Sequence, residues 1–319
     1  MSLNMTAKYY VGIDLGGTFI KGGIVDDCGN ILRSDKRSTE RELGAERVAD
    51  NIASLVFALL ESMELTAKDV AGIGLGVPGM IDSKRGVVVY SNNLCWKNIS
   101  LADMLTERTT LPVKMANDAN VAALGETKFG GAKDYDNVVM ITLGTGFGGG
   151  IVLDGKLFEG NGSAGAELGH QVIEANGEPC TCGRKGCFEA YSSATALIRD
   201  TKKTMEVHRD SKMWEIGSLD KVTGATSFDY QDKDVYAKAV VDRYIYMLAT
   251  GIINIANVFR PEAILLGGGV CAQGDNLILP LKKIVEEEIY AGKIGPKVEI
   301  LKATLENKAG IVGAAALIM

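Results

Sequence analysis

The chain has no excess of positive charge: 34 lysines and arginines stand against 40 aspartates and glutamates over 319 residues, a net charge of −6. With a pI near 5.2, it lacks the basic patch or stripe that marks a nucleic-acid surface, so no nucleic-acid partner is expected. Long hydrophobic runs are missing as well. The longest apolar stretches, residues 51–60 and 248–259, fall short of the roughly 20 residues a membrane span requires, and the second is interrupted by Asn254 and Asn257. No charged-then-apolar leader opens the chain, so no membrane partner is expected and the cytoplasm is the default compartment. Cysteine is scarce. Six residues in 319 do not make a disulfide scaffold, and three of them crowd between Cys180 and Cys187.

What the chain does have is glycine, in two matched places. DLGGTFIKGG (Asp14 to Gly23) and LGTGFGGGIV (Leu143 to Val152) lie 128 residues apart, each after an apolar strand-like run and each running into a second strand. Glycine lets backbone N–H groups approach an anion closely in a tight turn, making a nest of donors for phosphate. Asp14 suits such a place if Mg²⁺ stands between carboxylate and phosphate, and Thr18 and Thr145 add hydroxyl donors. Neither turn reads as a P-loop or as a GxGxxG helix opening. One turn alone would be an ordinary hairpin; the matched pair points to an internal duplication that holds one nucleotide from two sides.

At this length two lobes are expected. Strands are predicted over Tyr9–Asp14, Ile20–Val25, Val70–Val77, Pro112–Met115, Asn137–Leu143, Gly149–Leu153, Glu262–Leu266 and Lys297–Ala303. Helices are predicted over Gly44–Leu65, from Asn117–Asp118 onward, and over Gly186–Thr204, Asp234–Phe259, Asn276–Tyr290 and Asn307–Met319. Gly160–Asn176 reads as loop, and Met205–Asp232 as a polar, irregular and flexible insertion. This alternation is that of an α/β protein.

Asp118 falls where a strand gives way to a helix, placed either to accept a proton from an alcohol or to cap the helix. Further on, His170 is one of only two histidines in the chain. With Cys180, Cys182 and Cys187 it offers one imidazole and three thiolates, the donor set of a closed structural Zn²⁺ site. Buried thiols beside a core histidine, or a redox pair in Cys180-Thr-Cys182, are the alternatives. Glu167 and Glu189 flank the cluster; carboxylates there can each accept from sugar hydroxyls, or be ordinary surface acids.

Together these residues resemble the ROK family of bacterial sugar kinases and repressors, within the actin-like ATPase superfamily, over nearly the whole chain. DLGGT at Asp14–Thr18 is similar to the family's first phosphate motif, and LGTGFGGG at Leu143–Gly150 to the second. NDAN at Asn117–Asn120 is similar to its catalytic segment, ELGH at Glu167–His170 with the cysteine run to its signature, and GGGV at Gly267–Val270 to its adenosine turn. SNNLCW at Ser91–Trp96 resembles a sugar-loop segment of the family's zinc-containing glucokinases, and GVPGMID at Gly76–Asp82 a further family segment.

The resemblance implies a duplicated actin-like ATPase (ribonuclease H-like) fold of two lobes with a cleft between, a small one of residues 5–117 plus 306–319 and a large one of 118–305. It implies that Asp14, Gly16, Gly17, Thr18, Lys21, Gly144, Thr145, Gly146, Gly267, Gly268 and Gly269 contact ATP, with Mg²⁺. Asp118 is then the general base, and Gly79, Asn93, Asn117, Asp118, Glu167, His170 and Glu189 meet the sugar. His170, Cys180, Cys182 and Cys187 hold zinc. The reaction implied is phosphorylation of the glucose 6-hydroxyl, with N-acetylmannosamine or fructose as alternative substrates and a sugar-sensing regulator as the rival class. Repressors of the family carry a winged helix before the first turn; eight residues precede Tyr9, so an enzyme is expected, assembled as a homodimer.

Overall fold

The structure, a computed structural model, describes residues 9–319. β1 (Tyr9–Leu15) and β2 (Phe19–Asp26) form an antiparallel hairpin in register from Tyr9↔Asp26 to Leu15↔Ile20, and β3 (Ile31–Ser38) continues it on the outer edge of β2. α1 (Gly44–Glu61) buries the apolar stripe Val48, Ile52, Leu55, Val56, Leu59 and Leu60, while Met63, at the same helical spacing, lies beyond the helix end and is half-buried. β4 (Val70–Val77) pairs parallel with β1. β5 (Met80–Asp82), β6 (Val87–Ser91) and β7 (Trp96–Ile99) make a small antiparallel sheet. After α2 (Leu101–Thr109), β8 (Val113–Asn117) joins β4 in parallel, and α3 (Asp118–Phe129) starts at the next residue.

The second half opens with β9 (Val138–Leu143), β10 (Phe147–Leu153) and the short β11 (Lys156–Leu157). Four helices follow: α4 (Glu189–Ser192), α5 (Ala194–Val207), α6 (Thr226–Tyr230) and α7 (Val235–Phe259). β12 (Ala263–Gly267), α8 (Asp275–Glu288), β13 (Glu299–Lys302) and α9 (Ala309–Ala316) complete the chain. The two large sheets run β3-β2-β1-β4-β8 and β11-β10-β9-β12-β13. Both have the order third, second, first, fourth, fifth, so the duplication seen in the glycine turns extends to whole sheets. The hairpins agree in detail: β1 ends at Leu15 and β2 begins at Phe19, while β9 ends at Leu143 and β10 begins at Phe147.

The chain forms two compact units. One contains the described residues up to Val138 with Gly150–Ala166 and Ala303–Met319; the other contains Val139–Gly149 and Glu167–Lys302. The boundary therefore lies beyond the expected Asn117/Asp118 junction, and the expected start at Met5 is outside the described residues. The reason is packing. α9 is built of small residues and lies directly on α3, β1 and β4. A Cβ on Gly12 would meet the Ile311 carbonyl oxygen at 2.0 Å, one on Gly74 the Ala314 oxygen at 1.7 Å, and one on Gly313 the Val121 oxygen at 1.8 Å. No side chain fits at these crossings, so α3 and α9 stay with the first sheet.

Glu126 of α3, fully buried, secures the same joint. Its carboxyl oxygens accept from the backbone N–H groups of Gly131 (2.8 Å), Thr304 (3.1 Å) and Leu305 (2.7 Å). Glu126→Ala leaves three part-buried backbone donors without their acceptor, and urea unfolding is expected to show a loss of about 1–3 kcal/mol. Glu126→Gln, which keeps one carbonyl oxygen, should lose less.

Several elements differ from expectation. The helix predicted over Gly186–Thr204 is two helices, because Ser193 takes an extended backbone and caps α5 through the Ala196 N–H. The insertion at Met205–Asp232 is ordered rather than loose: Met205, Met213, Val222 and Ala237 bury a satellite core, and Trp214 donates to the Met205 carbonyl at 2.9 Å. Among the described residues, α7 is the one helix long and apolar enough to cross a membrane. It is a core helix, burying Val240, Val241, Leu248 and Ile252 in its unit while Lys238, Asp242 and Arg243 are exposed.

Candidate active site

In the first unit the predicted residues gather around the β1–β2 turn. Asp14 ends up opposite Lys21 in the hairpin register, their charged atoms 3.6 Å apart. Gly16 accepts from the Thr39 hydroxyl at 2.7 Å, and Thr18 from the Thr39 N–H at 2.9 Å, so one buried threonine pins the turn. Gly17 faces the backbone of Asn93, whose carbonyl is bonded by Arg41. Asn93 itself is exposed in the turn between β6 and β7.

At the β8–α3 junction the two candidate roles of Asp118 separate. Asn117 is the cap: its side-chain oxygen accepts from the N–H groups of Ala119 (2.9 Å) and Asn120 (3.3 Å), and its amide donates to the Gly79 carbonyl (3.0 Å). Both ends of Asn117 are thus engaged by protein. Gly79 sits at φ 117°, where a Cβ would strike the Tyr90 carbonyl oxygen at 2.3 Å, so no other residue suits the position. Asp118 is left at the first turn with a 2.9 Å bond from the Ala119 N–H. Its carboxyl is reachable by solvent, yet crowding strips enough hydration to raise its pKa above the ordinary 3.8; the Ala119 N–H opposes this and the negative charge of Asp14 adds to the rise.

In the second unit the β9–β10 turn is anchored by α5, whose Ala194 N–H and Thr195 hydroxyl donate to the carbonyls of Gly144 (2.8 Å) and Thr145 (2.7 Å). Gly268, at φ 89°, packs so closely on the end of β9 that a Cβ would lie 2.5 Å from the Leu143 carbonyl oxygen. Gly267 closes β12, and Gly269 opens the turn that follows. Gly146 adjoins Glu189, one of whose oxygens accepts from the Phe147 N–H at 3.0 Å and the other from the Thr181 hydroxyl at 3.2 Å. Glu189 therefore ties the second glycine turn to the cysteine loop. Glu167 is exposed just before the short turn Leu168–His170.

The donor atoms of His170, Cys180, Cys182 and Cys187 all lie within 4.8 Å of one another. Cys182 and Cys187 sulfurs are 3.7 Å apart, as are the Cys180 sulfur and His170 Nδ1. Four ligands at about 2.3 Å in a tetrahedron have edges of roughly 3.8 Å. The set fits zinc in ligand type, count and spacing.

Residues 10–319 match the ROK family profile. A glucokinase of Halalkalibacterium halodurans is 39% identical over 97% of this chain and 94% of its own length, and one of Thermotoga maritima is 38% identical over 97% and 96%. The crystal structure of a ROK family glucokinase from Streptomyces griseus in complex with glucose and AMPPNP is 35% identical, covers 97% of this chain and 98% of that one, and superposes with a TM-score of 0.77. The chain belongs to the ROK family. Its repeated sheet order is the actin-like ATPase fold of that family, the α/β class expected from the sequence.

Two residues of this ROK chain escaped the sequence reading. Thr39 and Arg41 lie some twenty positions beyond the first glycine turn, in a stretch with no motif, yet one fixes the turn's backbone and the other stands beside Gly17. Arg41 brings a cation next to a turn read as a phosphate nest, and only the path of β3 back along β2 puts it there.

Proposed function

We propose that this chain transfers the γ-phosphoryl group of ATP to the 6-hydroxyl of glucose, with Asp118 as the general base. The observation that carries the reading is the division of labour at the β8–α3 junction: Asn117 is engaged on both sides, by the helix start and by Gly79, while the exposed Asp118 carboxyl, apart from its bond from the Ala119 N–H, is open to a substrate hydroxyl. The glucokinase relatives, and the related structure holding glucose and AMPPNP, support the substrate pair. Phosphoryl transfer is mainly positioning and electrostatic stabilisation, so the protein's task is to align the hydroxyl with the γ-phosphorus and to screen its charge.

Asp14 is the carboxylate that would hold Mg²⁺, which when bound neutralises phosphate oxygens. The glycine turns at Gly16–Thr18 and Gly144–Gly146 offer backbone donors, with Lys21 adding charge, and Gly267–Gly269 receives the adenosine. Family resemblance supports Gly79 and Asn93, and likewise Glu167, His170 and Glu189, as the residues that meet the sugar. Family resemblance supports a homodimer in the cytoplasm, and sedimentation equilibrium reads its mass.

A coupled ADP-release assay across glucose, fructose and N-acetylmannosamine tests the assignment. Glucose should give the highest kcat/KM; sugar binding without ADP release would leave a sensor, not an enzyme. The base role also predicts a pH limb. Asp118 accepts a proton only when ionised, and its pKa is raised, first by lost hydration and then by Asp14. As pH falls through that value the protonated, inactive fraction grows, so kcat/KM should drop about tenfold per pH unit below it. The midpoint should stand above 3.8 and the loss should reverse on return to neutral pH. A reversible profile still flat down to 3.8 contradicts the role.

A further inference from the structure

On the first unit, away from the residues discussed above as site residues, lies a groove of about 570 Å³ rimmed by Lys84, Lys114, Lys128 and Lys156. Acidic residues outnumber basic ones in this chain, 40 to 34, so four lysines lining one concavity run against its average. None of the four is in an ion pair among the described residues. The single carboxylate side chain at the rim, Glu159, is turned onto the Ser83 hydroxyl at 2.7 Å. Lys128 bonds the Ala316 carbonyl at 3.4 Å, and its pKa is lowered by lost hydration first and by the charge of Lys114 second. Four lysines outnumber the one carboxylate side chain of the lining, and that excess of positive charge favours an anion in the groove.

The floor is apolar, formed by Met115, Leu124 and Leu317. A cationic rim over an apolar floor, in a volume well above that of one phosphate group, suits a molecule with a compact body and a phosphate. We propose that this groove binds a phosphate-bearing small molecule, its phosphate held by Lys84, Lys114, Lys128 and Lys156. The occupant would rest on β8 through Lys114 and Met115 and on α3 through Leu124 and Lys128. Those two elements meet at Asn117 and Asp118, yet the binding itself does not depend on the kinase reading.

The test is calorimetric titration of the full chain with its other sites filled by glucose, Mg²⁺ and a non-hydrolysable ATP analogue. Glucose 6-phosphate and inorganic phosphate are the two probes, distinguishing an organic phosphate ester from the free anion. The comparison protein is Lys84→Gln/Lys114→Gln/Lys156→Gln, which alters three exposed side chains and spares Lys128 with its backbone bond. At low ionic strength the wild type should bind at least one probe, and the triple variant should bind it about tenfold more weakly. Wild-type affinity should also fall as salt is added, while kcat and both KM values of the variant stay unchanged. Equal affinity in the two proteins, or no binding of either probe to the wild type, overturns the proposal.

Discussion

Asp118→Asn should lower kcat by about 10²–10⁴-fold, the range a positioned general base is worth, while glucose affinity changes little. The substitution is nearly isosteric and removes only the ability to accept a proton. It is also structurally mild here, because the Asn117 side chain caps the N–H groups of Ala119 and Asn120, and the amide oxygen of the new asparagine can still accept from Ala119 as the carboxylate does. Thermal unfolding should therefore match the wild type, separating lost chemistry from lost fold. Asn117→Ala is the mirror experiment: it strips the cap and the 3.0 Å bond to Gly79, and so should lower stability by about 1–2 kcal/mol along with activity. If Asp118→Asn turned over at near the wild-type rate, positioning alone would account for catalysis and the base would have to be sought elsewhere.

The second large effect belongs to the cysteine loop. Cys182→Ser should abolish zinc binding, read as loss of about one metal per chain by elemental analysis of protein purified at neutral pH. Cys182 is the informative choice because it is exposed, whereas Cys187 is fully buried and its replacement would mix metal loss with a packing defect. Outer supports of a metal site are worth about 10–100-fold in metal affinity, so removing a direct ligand should cost more than that. The consequence should reach the substrate: Glu189 and His170 are held by this loop, and glucose KM should rise about tenfold or more as their positions loosen. Metal-free protein with unchanged glucose KM would make the loop ornamental. Since Glu189 also accepts from the Phe147 N–H, a rise in the ATP KM should accompany the loss of zinc.

What could be read in the sequence is what local rules encode. The glycine hairpins were legible because close approach to an anion admits few residues, and the same restriction recurs 128 residues later. The Cys₃His set was legible from ligand chemistry, although its spacing is irregular, since one of only two histidines stands beside it. α1 and α7 were legible as the helices predicted over Gly44–Leu65 and Asp234–Phe259.

The elements missed were those whose identity comes from partners distant in sequence. β3 reads ILRSDKRS and is exposed along nearly all its length; an edge strand with no buried face leaves no alternation to detect. The sheet of β5, β6 and β7 is short, three to five residues a strand. Glu126 looks like any helical surface acid until the segment at Thr304–Leu305 arrives nearly 180 positions later to use it. The cap was ambiguous for a different reason, because Asn117 and Asp118 are adjacent and both residue types are good caps; only geometry could choose between them.

The glycine track under α9 bears on how the molecule comes into being. β1 and β4 leave the ribosome early, but the helix that seals their glycines at positions 12 and 74 is made more than 200 residues after β4. At about 5–20 residues per second, the first sheet, complete at Asn117, waits on the order of 10 to 40 s for its cover. Vectorial synthesis thus cannot finish the N-terminal half first, and a chaperone guarding the nascent chain would have its longest engagement with that uncovered face.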